Sequence, residues 1–159
     1  MLRPGRRVKR NRRGEYELSI PPQERELLRS LPDQLLDRLE AGAAQEDLVR
    51  LFPPAYSQES DHKEEEEYRS LMGTDLLEAH REALRTMAAT IDADRVDEGQ
   101  MMAWLRALNE LRLVLGTRLD VTEDQIPPPA GDPRASAFAL YSYLSWLQGQ
   151  VIDALQAAL

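Results

Sequence analysis

Three long segments of this chain place apolar residues every three or four positions, which is the spacing of an α-helix that buries one face. The segments are residues 61–91, residues 97–118, and the stretch from Asp132 to the C-terminus. Helices of this length can bury such faces only by packing against each other. The sequence therefore predicts a mainly α fold, a bundle of about five helices with a short N-terminal β-strand or hairpin.

The C-terminal helix has the widest apolar face of the three. A single neighbouring helix cannot cover such a face, so this helix either lies centrally in the bundle or presents one side to another subunit. We expect a homodimer whose interface uses Tyr141, Trp146 and Leu147. Asp132 and Pro133 should be the N-cap and the first residue of this helix.

Proline and capping residues predict where the other helices begin. Pro21 and Pro22 suit the first turn of a short helix, and Pro32 separates that helix from a second short one. Asp97, followed three residues later by Gln100, resembles a capping box at the start of the second long helix. The two long helices should form a hairpin against which the C-terminal helix packs.

The N-terminal region follows the two-residue period of a β-strand. Residues 14–20 alternate apolar and polar side chains, and Val8 lies on the other side of a turn-like sequence. Residues 123–131 contain three prolines and should form a stiff linker before the C-terminal helix. All of these elements are expected to belong to one domain over residues 1–159.

Charge is distributed unevenly along the chain. The basic N-terminal segment, residues 1–13, has seven cations and no acid, and these cations are Arg3, Arg6, Arg7, Lys9, Arg10, Arg12 and Arg13. The rest of the chain has the other 13 Lys or Arg against 28 Asp or Glu, a net −15 that leaves the chain at −8. The acidic body would repel DNA, so contact with phosphates or an acidic protein surface must be local to the segment. The alternative is a basic tail without a partner.

Composition excludes several classes of site. The chain has no cysteine, which rules out disulfides, thiolate catalysis, Cys-based zinc sites and thiol redox sensing. No apolar stretch is long enough for a membrane helix, and no hydrophobic signal core follows the cationic start. We therefore expect a cytoplasmic protein that does not contact a membrane.

Neither histidine accompanies a recognisable catalytic or metal motif. His62 and Glu66 could present two metal ligands on one helix face, but nothing marks the further ligands that zinc needs. His80 lies beside an apolar stripe, where a histidine paired with a nearby carboxylate is favoured over a general base. The sequence predicts no catalytic residue, no metal, no cofactor and no small-molecule substrate.

Arg112 and Asn109 fall within the most apolar helix. A buried guanidinium requires an anionic partner. Either Asp75 or Glu78, on the preceding long helix, is the predicted partner, so we expect a structural ion pair between Arg112 and one of them, beside Asn109.

Residues 103–124, AWLRALNELRLVLGTRLDVTED, resemble the signature of a family of small actinobacterial proteins described as a domain of unknown function. Further matches are LFPPAY at residues 51–56, YSYLSWLQ at residues 141–148, and the dipeptides at residues 75–76 and 83–84. The family includes oxidative stress transcriptional regulators. The resemblance thus implies a non-enzymatic regulator that acts with RNA polymerase and a sigma factor. Together with the charge of the basic N-terminal segment, it predicts that this segment touches DNA or an acidic surface of the polymerase. A protein–protein adaptor without DNA binding is the alternative.

The absence of cysteine separates this chain from a regulator that senses oxidants through thiols. Its signal would have to enter through abundance, a partner or a ligand. Methionine oxidation is disfavoured because Met72, Met87, Met101 and Met102 lie in helical stripes and are expected in the core.

Overall fold

A computed structural model describes the chain over residues 5–41, 62–119 and 131–158. These residues contain the strands β1 (Val8–Arg10), β2 (Tyr16–Leu18) and β3 (Arg95–Val96), and the helices α1 (Pro22–Arg29), α2 (Leu31–Ala41), α3 (His62–Ala89), α4 (Glu98–Leu119) and α5 (Ala135–Gln156). The prediction of a mainly α fold with an N-terminal hairpin is confirmed. The LFPPAY segment and most of the proline-rich linker lie outside the described residues.

The strands form an antiparallel sheet in the order β1-β2-β3. Val8 pairs with Leu18, and Tyr16 lies between Arg10 and Val96. The two-residue period places the apolar side chains of these strands on the buried face. Sequence reasoning missed β3 because a strand of two residues is too short to show alternation.

The turn between β1 and β2 has a local chemical cause. The Oδ1 atom of Asn11 accepts hydrogen bonds from the backbone N–H groups of Arg13 and Glu15, at 2.9 and 3.0 Å. Gly14 has a φ of 80°, in the left-handed region that a residue without Cβ adopts readily. The hairpin is therefore encoded within its own sequence.

The predicted N-cap is confirmed for α4 but not for α5. The capping box of α4 is present, since Asp97 Oδ1 accepts from Gln100 N at 2.7 Å and Gln100 Oε1 accepts from Asp97 N at 2.9 Å. The predicted N-cap role of Asp132 is wrong. Its Oδ1 accepts from Arg134 N at 2.8 Å, which forms a turn before α5 begins at Ala135.

Helix α4 lies at the centre of the fold, with α3 and α5 packed against it. One continuous apolar core joins its Met101, Trp104 and Leu108 to residues of the sheet and of the other four helices. The Trp104 indole Nε1 donates to Thr90 Oγ1 at 2.7 Å, so its polar atom is satisfied inside the core. No described helix has the length and apolar content that a bilayer crossing demands.

Candidate functional site

The basic hairpin, residues 6–13, displays most of the cations in the N-terminal segment. Arg6, Lys9, Arg10, Arg12 and Arg13 are exposed, and none forms an ion pair with another side chain of the described ranges. Arg3 lies outside the described residues. The sheet thus holds five positive charges on one ordered element.

The solvent side of the sheet carries one more cation. Glu17 lies between Lys9 on β1 and Arg95 on β3 in the cross-strand register. Arg95 is exposed and forms no ion pair with a described side chain. It was missed because only the short β3 brings it beside the hairpin. It offsets the acid at Glu17 and extends the positive face.

Arg7 differs from the other cations, which corrects its prediction as a contact residue. Its guanidinium donates to both carboxylate oxygens of Glu24, from Nε at 3.0 Å and from Nη2 at 2.8 Å. It also lies 5.2 Å from the centre of the Trp146 ring. The protein neutralises this arginine itself, since Arg7 and Glu24 form a two-bond ion pair that is partly buried.

Two further contacts complete the anchor that Arg7 makes. Its backbone N–H donates to Gln150 Oε1 at 3.0 Å, and the Tyr143 hydroxyl donates to Glu24 Oε1 at 2.7 Å. This set, Arg7, Glu24, Tyr143, Trp146 and Gln150, is the hairpin anchor. It ties β1 to α1 and α5, so the exposed cations next to it have a fixed position on the body.

The hairpin anchor shifts the pKa of each titratable member. Hydrogen bonds from Arg7 lower the pKa of the Glu24 carboxyl below its ordinary value, and the Tyr143 hydroxyl acts in the same direction. The hydrogen bond to Glu24 raises the pKa of Arg7. Burial, followed by the contact with Glu24, raises the pKa of Tyr143. All three groups therefore keep the charge state that the anchor needs at neutral pH.

Arg25 fixes the other end of the hairpin. Its guanidinium donates to four backbone carbonyls, those of Leu18, Ile20, Ile91 and Ala93, at 2.8 to 3.0 Å. These carbonyls belong to the end of β2 and to the connection between α3 and β3. A side chain on α1 thereby holds the sheet against the end of the long helix.

One buried carboxylate of the described residues lies between two basic side chains. Glu110 on α4 is 2% exposed, and its Oε1 contacts His80 Nδ1 from α3 and Arg106 Nε at 3.1 Å. Burial raises the pKa of Glu110, while both partners act to lower it. The predicted pairing of His80 with a nearby carboxylate is confirmed, and the contact links α3 to α4.

The predicted ion pair of Arg112 is wrong. Glu78 instead contacts Arg81 and Arg85 on its own helix, at 3.7 and 3.5 Å. Arg112 donates to Asn109 Oδ1 at 3.3 Å and lies 6.0 Å from the centre of the Tyr141 ring. Asp75 is exposed and takes no part in this contact. Arg112 is half-buried, and its Nε is buried without a hydrogen-bond partner among the described residues.

The proposed dimer interface changes as well. Leu147 is 0% exposed within the core and cannot face another subunit. Trp146 lies beneath Arg7 and beside Tyr143. The wide apolar face of α5 is therefore explained largely by its position against α4 and β1. Tyr141 is half-buried, and a homodimer stays a prediction.

Among the residues that the structure describes, no three His, Asp or Glu side chains lie close enough together to hold a metal ion. The side chains of His62 and Glu66 lie outside the described residues. The expected core position is correct for Met87 and Met101 but wrong for Met102, which is 52% exposed.

A family model described as "Domain of unknown function (DUF2017)" matches residues 5–155 of the chain. The match includes every described strand and all but the last residue of α5.

The chain belongs to this family.

This DUF2017 chain is also similar to a curated protein from Mycobacterium leprae (strain TN). It is named "Putative oxidative stress regulator AosR" and is 34% identical over 96 residues, which is 56% of this chain and 43% of the relative. The matched region thus spans less than half of the relative's length. No solved structure matches the chain.

Proposed function

We propose that this DUF2017 protein is a non-enzymatic regulator of transcription in a stress response that acts with RNA polymerase and a sigma factor. Contact is made by the basic hairpin, through Lys9, Arg10, Arg12 and Arg13. The polymerase–promoter complex offers anionic surfaces of both protein and DNA. The observation that carries the proposal is the set of exposed cations on an ordered hairpin that form no ion pair with any carboxylate of the described residues.

Two further observations support the proposal. The relative's name describes a regulator of oxidative stress. The hairpin anchor and Arg25 hold the cations in a fixed array, and a fixed array loses less conformational entropy on binding than a flexible tail does.

The test compares two variants that remove the same charge. Arg12→Gln/Arg13→Gln changes the turn of the basic hairpin, and Arg85→Gln/Arg134→Gln removes two exposed arginines elsewhere on the body. Binding of each full-length variant is measured by fluorescence anisotropy at low salt against promoter DNA, against RNA polymerase holoenzyme, and against the two together.

We expect the hairpin variant to bind at least one of these targets roughly tenfold more weakly, with a salt slope reduced by about two, because two phosphate or carboxylate contacts are lost. The matched variant should change affinity by less than about twofold. Equal weakening by the two variants would contradict the proposal. If the hairpin variant binds the polymerase as tightly as wild type does, and neither binds DNA, the adaptor function is favoured instead.

A further inference from the structure

One face of the helical bundle has a groove, and no residue of the basic hairpin lines it. It has a volume of about 950 Å³, with α4 as its floor and with α3 and α5 as its walls. The floor residues Met102, Leu105, Arg106 and Asn109 are spaced three, four and seven positions apart, so they form one helical face. From Gly99 to Asn109 the groove runs for about 15 Å, or about three helical turns.

The groove contains apolar side chains that nothing described covers. The described surface exposes three large apolar residues, and two of them, Met102 at 52% and Ile152 at 37%, line this groove. The walls add small side chains at Ala79 and Ala83, which allow close approach of another helix. Exposed apolar residues gathered in one groove are typical of a protein-binding site.

The charged residues that line the groove are two carboxylates and one guanidinium. Glu82 lies on the α3 wall and Asp97 at the start of α4, and neither forms an ion pair with a described side chain. The lining cation, Arg106, is already engaged by Glu110. A ligand that places cations opposite Glu82 and Asp97 is therefore favoured.

We propose that this groove binds one amphipathic helix of a partner protein, with an apolar stripe against Met102, Leu105 and Ile152 and with Lys or Arg on its flanks. A second copy is a poor occupant. Symmetric pairing of two grooves would bring their unpaired carboxylates together, and the apolar side chains of β1 and β2, such as Val8 and Leu18, are buried within their own protein. This surface is separate from the hairpin and does not depend on the proposed contact with the polymerase complex.

The test uses designed peptides of about three to four helical turns, labelled with a fluorophore, and the full-length protein. The first peptide has leucines at i, i+3, i+4 and i+7 with lysines on both flanks. The second has the same composition in scrambled order, and the third has glutamates in place of the lysines. Binding is measured by anisotropy against wild type, Met102→Glu/Ile152→Glu, and Leu27→Glu as the matched control for an exposed apolar residue on α1.

We expect the first peptide to bind at least about tenfold more tightly than the other two, because only it matches both the stripe and the unpaired carboxylates. The groove variant should lose about tenfold or more, whereas Leu27→Glu and Arg12→Gln/Arg13→Gln should bind like wild type. Thermal melts verify that each variant is folded. The proposal is overturned if the three peptides bind alike, if Leu27→Glu weakens binding as much as the groove variant, or if light scattering shows a dimer that the groove variant abolishes.

Discussion

Arg7 and Glu24 form a two-bond ion pair, at 3.0 and 2.8 Å, across 17 residues of sequence. The pair lies where β1, α1 and α5 meet, with Trp146 beneath the guanidinium. One arginine of the N-terminal segment is thus part of the fold, while its neighbours Lys9, Arg10, Arg12 and Arg13 remain available to a partner. The segment combines an internal anchor with an external contact surface.

Loss of Arg7 should destabilise the protein far more than loss of an exposed hairpin arginine. Arg7→Ala leaves Glu24 partly buried without its cation and removes the contact with Trp146, so we expect a loss of about 2–4 kcal/mol in the free energy of unfolding. Arg12→Ala should change it by less than about 0.5 kcal/mol. Urea denaturation of the two variants measures this difference, and equal effects would show that Arg7 is not an anchor.

The pair also predicts how stability depends on pH. The folded-state pKa of Glu24 lies below its ordinary value of 4.5, so the folded protein binds fewer protons at this site than the unfolded chain does. Its contribution is present above pH 4.5 and is lost as the pH falls through the folded-state pKa. Stability of Glu24→Gln should therefore fall less steeply below pH 4.5 than that of wild type. Glu40→Gln, at an exposed site on α2, is the control and should follow wild type.

The buried contact between His80 and Glu110 predicts a non-additive pair of mutations. His80→Leu leaves the Glu110 carboxylate buried with Arg106 alone and should cost about 3–5 kcal/mol. His80→Leu/Glu110→Leu replaces both polar groups by apolar ones and should recover most of that loss, because Arg106 is 44% exposed and can be hydrated. A double-mutant cycle by chemical denaturation measures the coupling. A double variant that is less stable than His80→Leu would contradict this account.

Exposure predicts which described methionine peroxide oxidises first. Met102 is 52% exposed, whereas Met87 and Met101 are 0% exposed. Hydrogen peroxide should convert the Met102 thioether to its sulfoxide at least about tenfold faster than the other two. Peptide mass spectrometry after timed exposure follows each site. Comparable rates at Met102 and Met101 in the folded protein would contradict the arrangement of α4.

Local sequence signals predicted much of the fold. The capping box at Asp97, the proline at the start of α1 and the alternation around Tyr16 each depend on residues only a few positions away. Hydrogen bonds confirm the capping box, the start of α1 at Pro22 confirms the proline signal, and the burial pattern of β2 confirms the alternation. Such signals are visible in sequence because their physical cause is a neighbouring residue.

Contacts between distant elements could not be predicted in the same way. A cation in a basic segment resembles its neighbours in sequence, and only packing singles out Arg7 by placing Glu24 and Tyr143 beside it. The width of an apolar helix face does not distinguish a helix at the centre of a bundle from a helix at a subunit interface. For this reason the prediction of Leu147 at an interface is wrong. The same limit applies to Met102. The periodicity of the sequence indicates which side chains share a helix face, but it does not indicate whether another element covers that face.

Crosslinking at the hairpin tests the central claim most directly. The sequence has two lysines, Lys9 on the basic hairpin and Lys63 near the start of α3, so an amine-reactive crosslinker compares them in one sample. The full-length protein is mixed with RNA polymerase holoenzyme on promoter DNA, crosslinked and analysed by mass spectrometry. The account predicts polymerase crosslinks at Lys9 that disappear in Arg12→Gln/Arg13→Gln, with few at Lys63. Crosslinks at Lys63 but not at Lys9, or crosslinks that this variant leaves unchanged, would contradict it.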